Sequence, residues 1–301
     1  MIDMAGTFSI VAFDPKNGDL GVAVASRVLA CASVVPFAEA GVGAIATQSF
    51  ANTTYGPKGL EMLRNKVNPQ DAIKRLTDPD QDKGRRQLAV IDARGRTANF
   101  TGDRCLKWCG AASGPNYSCQ GNILTGENVV QAMARAFETT EGEIALKMMA
   151  ALEAGEAAGG DSRGKQSAGM IVMRKKGGYG GFDDKYVDLR VDDHKEPVAE
   201  LRRLLGMKLR FARMMRGYDE LQKKQWDQAI ATFQALVNEE PDNGTHWYNL
   251  ACGQSMAGRR DAALASLKKA LQLDPTMMSH ANQDSDLDAI RDEAKRQGVL
   301  R

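Results

Sequence analysis

A chain of 301 residues, 43% hydrophobic and 26% charged, is long enough for two ordinary globular domains and too apolar to be disordered. Lys+Arg 40 stand against Asp+Glu 38, which excludes an electrostatic nucleic-acid footprint and a polybasic membrane anchor. Glu39 interrupts the long apolar stretch 30–46, and Met1-Ile2-Asp3-Met4 lacks the basic start and apolar core of a signal peptide, so a cytoplasmic protein with no membrane span is expected.

The N-terminal part alternates in the way strands do. Thr7 to Phe13 and Asp19 to Ser26 read as two strands around Pro15-Lys16-Asn17-Gly18, and Val42 to Ser49 as a third. Gly41-Val42-Gly43-Ala44-Ile45-Ala46 matches the G-x-G-x-x-A dinucleotide fingerprint, but that motif needs a helix starting inside it. Here the segment itself alternates like a strand, so both glycines are expected to serve close sheet packing, and no cofactor is expected.

Pro57 and Pro69 start two short helices, the second capped by Asn68 with Ala72, Ile73 and Leu76 on one face. Strands are expected at 87–92 and 97–101, long helices near 125–139 and 141–158, and closing strands at 167–174 and 186–191. Hairpin-linked strands between paired helices predict an α+β layered sandwich of antiparallel sheets with helices on the outer faces.

Three polar stretches interrupt this pattern. They hold Thr47, Gln48 and Asn52; Asn116, Tyr117, Gln120 and Asn122; and Asp161, Arg163 and Gln166. With Thr7, Ser26 and Arg27 they supply the amide, hydroxyl and guanidinium groups that recognise a small polar or carboxylate-bearing ligand. Taken singly, each also suits a turn or cap that satisfies its own backbone.

Five cysteines, Cys31, Cys105, Cys109, Cys119 and Cys252, form no C-x-x-C pair, and His194, His246 and His280 lie far apart. Asp192-Asp193-His194 reads as the solvated entry to a linker, and these spacings indicate no zinc or iron site.

Beyond Asp193 the rhythm changes. A helix from Glu196 to Arg216, with Pro197 in its first turn, leads into a repeat. Gly217, Ala229, Phe233, Leu236 and Pro241 recur 34 residues later as Ala251, Ala263, Leu267, Ala270 and Pro275, and Asp227 recurs as Asp261. Residues 210–277 resemble two tetratricopeptide repeats, with Asp284 to Gln297 as a capping helix. By that resemblance Phe211, Met214, Tyr218, Leu221, Tyr248 and Met256 form an apolar concave stripe. It suits docking, homo-oligomerisation or an apolar peptide better than a carboxylate clamp. The domains expected are 1–193, a linker helix 194–209, and an all-α domain 210–301.

Several motifs together carry a second resemblance. Gly6-Thr7-Phe-Ser-Ile-Val-Ala12, Gly21-Val-Ala-Val-Ala-Ser-Arg27, Gln120-Gly-Asn122, Gly160-Asp-Ser-Arg-Gly-Lys-Gln-Ser167 and Asp188-Leu-Arg-Val-Asp-Asp-His194 closely resemble the bacterial family DUF1028, over 7 to about 205. That family resembles the N-terminal-nucleophile (Ntn) hydrolases, which implies a four-layer αββα sandwich. It also implies a nucleophile of the Thr, Ser or Cys type whose own α-amine is the general base. Carried over, Thr7 is the nucleophile, because Gly6-Thr7 is similar to the junction at which proteasome β-type subunits cleave themselves. A donor from 47–52 would then stabilise the oxyanion.

The sequence departs from the proteasomal pattern in three ways. Six residues precede Thr7, Ala25-Ser26-Arg27 replaces Asp-Ser-Arg, and no lysine falls between Lys16 and Lys58. Two functions stay open: an amidohydrolase of small polar amides using Thr7, and a non-catalytic ligand-binding or scaffold protein. In an uncleaved chain that still hydrolysed amides, Ser26 and Cys31 would be the alternative nucleophiles.

Overall fold

The computed structural model describes residues 6–301; Met1-Ile2-Asp3-Met4, with its expected lack of a signal peptide, lies outside them. The chain divides into two compact units, 1–205 and 206–301, and the division falls inside one long helix.

In the first unit the strands are β1 (Thr7–Phe13), β2 (Leu20–Ser26), β3 (Pro36–Glu39), β4 (Gly43–Ser49), β5 (Arg86–Asp92), β6 (Thr97–Thr101), β7 (Gly110–Gly114), β8 (Tyr117–Asn122), β9 (Ser167–Met173) and β10 (Lys185–Val191). Helices α1 (Tyr55–Arg64) and α2 (Pro69–Thr77) follow β4, and α3 (Asn128–Thr139) and α4 (Ile144–Ala157) follow β8. The strands form a six-stranded sheet, β10-β9-β2-β1-β8-β7, and a four-stranded sheet, β3-β4-β5-β6. Every strand pair in them is antiparallel.

Strand alternation builds the layers, because successive side chains point to opposite faces. Val11, Val22 and Val24 of the larger sheet meet Ala44, Ala46, Ala89 and Ile91 of the smaller one in a shared core. The intervening residues Ile45, Leu88 and Val90 face away and pack on Tyr55, Leu60, Leu63, Ile73 and Leu76 of α1 and α2. On the opposite side Phe8 abuts Gly155 of α4, and a Cβ at Gly21 would strike the Met148 side chain. A mixed α+β unit with antiparallel sheets is therefore observed, with helices packed on both sheets.

Local signals account for much of this. Pro69 opens α2, and the Asn68 side chain accepts from the Asp71 amide at 3.0 Å, the expected cap. The two glycines of the fingerprint-like segment separate in role. A Cβ at Gly43 would meet Leu63 Cδ1 at 2.4 Å and the Ile91 carbonyl at 2.5 Å, so close sheet packing holds there. Gly41 instead sits in open space at φ 73°, a turn residue that exploits the left-handed region.

Three strands are additional to those expected. The stretch 114–122, for which no strand was expected, forms most of the β7–β8 hairpin, with Asn116 left-handed in its turn at φ 68°. Its glycines, serines and amides have little intrinsic strand preference, and pairing of Tyr117–Asn122 with β1 overrides that. Short β3 pairs at the edge with β4.

The long helix α5 (Pro197–Gln222) runs past the expected end at Arg216. In the first unit it buries Val198, Leu201 and Leu205. The second unit takes its remainder, then α6 (Trp226–Glu239), α7 (Gly244–Met256), α8 (Arg260–Leu273), a short α9 (Met278–Ala281) and α10 (Arg291–Arg296). Small residues permit the close approaches: a Cβ at Gly217 would meet the Phe233 ring at 2.6 Å. The expected capping helix at 284–297 is broken. Asp284 caps a single 3-10 turn, Ser285–Leu287, and α10 begins only at Arg291, because the Asp284 carboxylate bonds the Asp286 amide in place of a helical carbonyl. Among the described residues no helix is long and apolar enough to cross a membrane.

Candidate functional site

The inward faces of β1, β2 and β8 in the larger sheet and of β4 and β5 in the smaller one carry this site, and most of them change character along their length. They are apolar at Val11, Val22, Ala44 and Ala89, and polar at the opposite end, where Thr7, Ser9, Ser26, Gln48, Gln87, Gln120 and Asn122 are all buried. Central β1 sets the register: Thr7 stands opposite Ser26 on β2 and Asn122 on β8.

At the strand end, Thr7 Oγ1 lies 3.2 Å from Ser26 Oγ. Ser26 Oγ donates a hydrogen bond to the Gly6 carbonyl oxygen. The same carbonyl accepts from Arg163 Nη2 at 3.2 Å, so a hydroxyl and a guanidinium converge on the peptide before Thr7. Two donors of this kind, one of them cationic, polarise a carbonyl strongly in a place shielded from water.

Arg163 is itself held. Its Nε and Nη2 reach Asp161 Oδ1 and Oδ2 at 3.1 and 2.7 Å, and the Asp161 side chain is 1% exposed. Asp161 also accepts from the backbone amides of Arg27 (3.1 Å) and Arg163 (3.0 Å), while Arg27 Nη1 donates to the Arg163 carbonyl at 2.9 Å. A buried carboxylate with this many donors fixes the guanidinium that serves Gly6. Gly160 and Gly164, both at positive φ, make the tight loop around it.

Deeper between the sheets lies an amide network. Ser9 Oγ donates to Gln48 Oε1 and accepts from Gln120 Nε2, both at 2.6 Å. Gln87 Oε1 accepts from Gln48 Nε2 at 2.9 Å and Asn122 Nδ2 at 3.0 Å, and Gln87 Nε2 donates to Thr101 Oγ1 and the Gly121 carbonyl. Two acceptors in this wall have no partner, Gln120 Oε1 and Asn122 Oδ1. Buried amide oxygens left in this way suit a ligand N–H.

The structure thus brings together Thr7, Ser26, Arg27, Asp161 and Arg163 at the strand end, with Gln48, Gln120 and Asn122 behind them. Gln166 borders the group, its amide donating to the Ser26 carbonyl and its side chain to Asp193 Oδ1 at 3.2 Å. The other expected residues lie elsewhere. Asn116 and Tyr117 sit at the Phe13 end of β1, about 20 Å along the strand from Thr7; the Phe13 amide bonds the Asn116 carbonyl, and Tyr117 Oη reaches Glu138.

Thr47 points to the helix side of β4, where its hydroxyl meets the Asn52 carbonyl. Asn52 joins Tyr55 and Arg86 around Asp80, a knot that fixes the entry to α1. The Arg86 guanidinium, with the Tyr55 hydroxyl, holds the Asp80 carboxyl well below the usual carboxylate range. Cys31 is buried, its thiol pushed up to about 12 chiefly by burial, so it stays protonated and is a poor nucleophile.

Sequence reasoning missed Ser9, Gln87 and the Gly6 carbonyl. The signal for the first two was available: each is a polar residue on the inward face of a strand whose next inward residues are apolar.

The model of the family of unknown function DUF1028 matches residues 7–201, and the chain belongs to that family. A crystal structure from Silicibacter pomeroyi carrying the same family model aligns at 31% identity and a TM-score of 0.62, over 67% of this chain and 88% of that one. Anbu (ancestral beta-subunit) from Yersinia bercovieri aligns at 12% identity and a TM-score of 0.30, over 67% of this chain and 94% of that one, a likeness too loose to bear on the fold. No curated protein matches.

Proposed function

We propose that the first unit is an αββα sandwich of the Ntn-hydrolase type and acts as an amide-bond hydrolase, with Thr7 as nucleophile once the Gly6–Thr7 peptide is cut. One observation carries this reading: the Gly6 carbonyl receives Ser26 and Arg163 while Thr7 Oγ1 rests 3.2 Å from Ser26 Oγ.

The chemistry follows from that relay. Thr7 Oγ1 attacks the Gly6 carbonyl carbon as its proton passes to Ser26 Oγ and the Ser26 proton passes to the carbonyl oxygen. Arg163 stabilises the charge that develops there. The C–N bond breaks, the nitrogen takes a proton, and an ester joins Gly6 to Thr7. Water then hydrolyses the ester, leaving a carboxylate on Gly6 and a free amine on Thr7. That amine, with an ordinary pKa of ~7.7–8.0, serves as base for the hydroxyl in later turnovers. Arg163 is the cation beside this carbonyl, whereas the proteasomal catalytic lysine has no equivalent between 16 and 58. Gln120 Oε1 and Asn122 Oδ1 would accept N–H groups of a small polar amide, and Arg27 would meet its charge.

The second unit, 210–301, we read as two tetratricopeptide repeats with a broken cap, joined to 1–193 through a linker helix at 194–209 and serving docking or self-association. Tyr218, Leu221 and Tyr248 of its expected stripe line a cavity, Met214 and Met256 pack on the core around Phe233, and Phe211 is 41% exposed.

The test is the N-terminus of the purified chain. Intact mass and N-terminal sequencing should find a fraction beginning at Thr7, and Thr7→Ala should stay whole and lose hydrolysis of amide substrates. A native chain that remains whole overturns the mechanism and leaves a ligand-binding or scaffold role.

A further inference from the structure

The second unit holds a cluster that neither the hydrolase reading nor the repeat pattern uses. Cys252 on α7, and Asp284 and Asp286 at the 3-10 turn after α9, place Sγ and one carboxylate oxygen each within 4.8 Å of one another. Cys252 Sγ is 3.8 Å from Asp284 Oδ2, and His280 Nε2 lies 3.6 Å from the same oxygen. Tyr248, one turn before Cys252, donates its hydroxyl to Asp284 Oδ2 at 2.7 Å and fixes that carboxylate.

Two acids and a thiol gathered this closely repel one another as they ionise. His280 is the basic group within ion-pair reach of the Asp284 carboxylate. A second observation points to a ligand. The cluster lines a cavity of about 380 Å³ shared with Asn249, which is 4% exposed and whose Nδ2 has no acceptor although its Oδ1 takes the Tyr218 hydroxyl.

We propose that Cys252, Asp284 and Asp286 bind a divalent cation of the zinc class, leaving a fourth position open toward the cavity. For tetrahedral zinc, bonds of about 2.3 Å to sulfur and 2.0–2.2 Å to oxygen imply a sulfur–oxygen separation near ~3.5 Å, close to the separation already present between Cys252 and Asp284. One thiol, two carboxylates and a nearby imidazole favour zinc, or cobalt in its place, over magnesium or calcium, which prefer oxygen alone. On binding, the Cys252 thiol releases its proton to solvent and the cation replaces it. The open position takes water or an oxygen ligand, for which Asn249 Nδ2 is a ready donor.

The experiment is cobalt(II) titration of the full-length, chelator-treated, reduced chain. A thiolate-to-cobalt charge-transfer band should grow to saturation at one cobalt per chain and vanish when zinc is added. It should be absent in Cys252→Ser, and Asp286→Asn should weaken cobalt binding at least ~10-fold. No band in the native chain, or a band undiminished in Cys252→Ser, overturns the site, the latter by placing the ion on the other thiols. Should Cys252→Ser fail to fold, Asp286→Asn decides, and unchanged affinity there overturns the assignment.

Discussion

Ser26 faces Thr7 across the β1–β2 register with their side-chain oxygens 3.2 Å apart, and it gives its own proton to the carbonyl just before Thr7. One hydroxyl therefore links the proposed nucleophile to the bond it would cut. Replacing Ser26 with Ala removes that relay and one of two donors to the carbonyl. Release of the residues before Thr7, followed by intact mass over time, should slow by roughly 10²–10³-fold, the usual effect of deleting one such donor. An unchanged rate would remove Ser26 from the step.

Gln87 ties the two sheets through buried amides and bonds Gln48, Asn122, Thr101 and Gly121. Gln87→Met keeps the volume and strands these partners without water. Since each buried polar group left unmade costs ~1–3 kcal/mol, urea unfolding should show a loss of at least about 2 kcal/mol. A near-neutral result would mean that the partners find each other without it.

The Asp19 carboxylate has no exposed side-chain surface and is held by Arg174 at 2.6 Å; Arg174 also stacks on Tyr186 with its guanidinium carbon 3.5 Å from the ring centre. Arg174→Ala should cost roughly 3–5 kcal/mol, because it leaves a buried charge without its partner. Asp19→Asn combined with Arg174→Met should recover part of that loss. Equal loss in the single and double variants would show that packing on Tyr186, not charge, is the contribution.

Asp80 supplies a pH dependence of known sign. Its folded-state pKa is depressed by the Arg86 guanidinium with help from Tyr55, so its ionised form is favoured in the native state. The stabilisation is fully present above the unfolded-state value of about 4 and is lost as pH falls below that toward the lower folded value. Asp80→Asn should lower the melting temperature at neutral pH and flatten its decline in acid. A decline as steep as that of the native chain would assign the acid sensitivity to other carboxylates.

The alternation of Phe8, Ile10 and Ala12 with Thr7, Ser9 and Val11 makes β1 legible from the sequence, as Asn68-Pro69 does for α2. Thr7, Ser26, Arg27, Asp161 and Arg163 are legible too, because they sit where strands end and glycines cluster. Asn116 and Tyr117 are misleading for a geometric reason. They stand only a few residues from Gln120, but a strand advances about 3.3 Å per residue and carries them to the far end of the sheet. The β7–β8 hairpin is hidden by its composition, since Gly110-Ala-Ala-Ser-Gly114 has the look of a loop until β8 pairs with β1. The Cys252–Asp284–Asp286 cluster escapes spacing rules because tertiary packing joins α7 to a turn more than thirty residues later.

Position 6 has a consequence of its own. A methyl group there would sit 2.7 Å from Asp161 Oδ2 and push the carboxylate aside. Because that carboxylate is the anchor of Arg163, a larger residue would also swing the guanidinium off the carbonyl it serves. A size limit before Thr7 and the proposed activation of the bond there would thus be a single mechanical linkage, with Asp161 as the gauge that admits only a residue without a side chain.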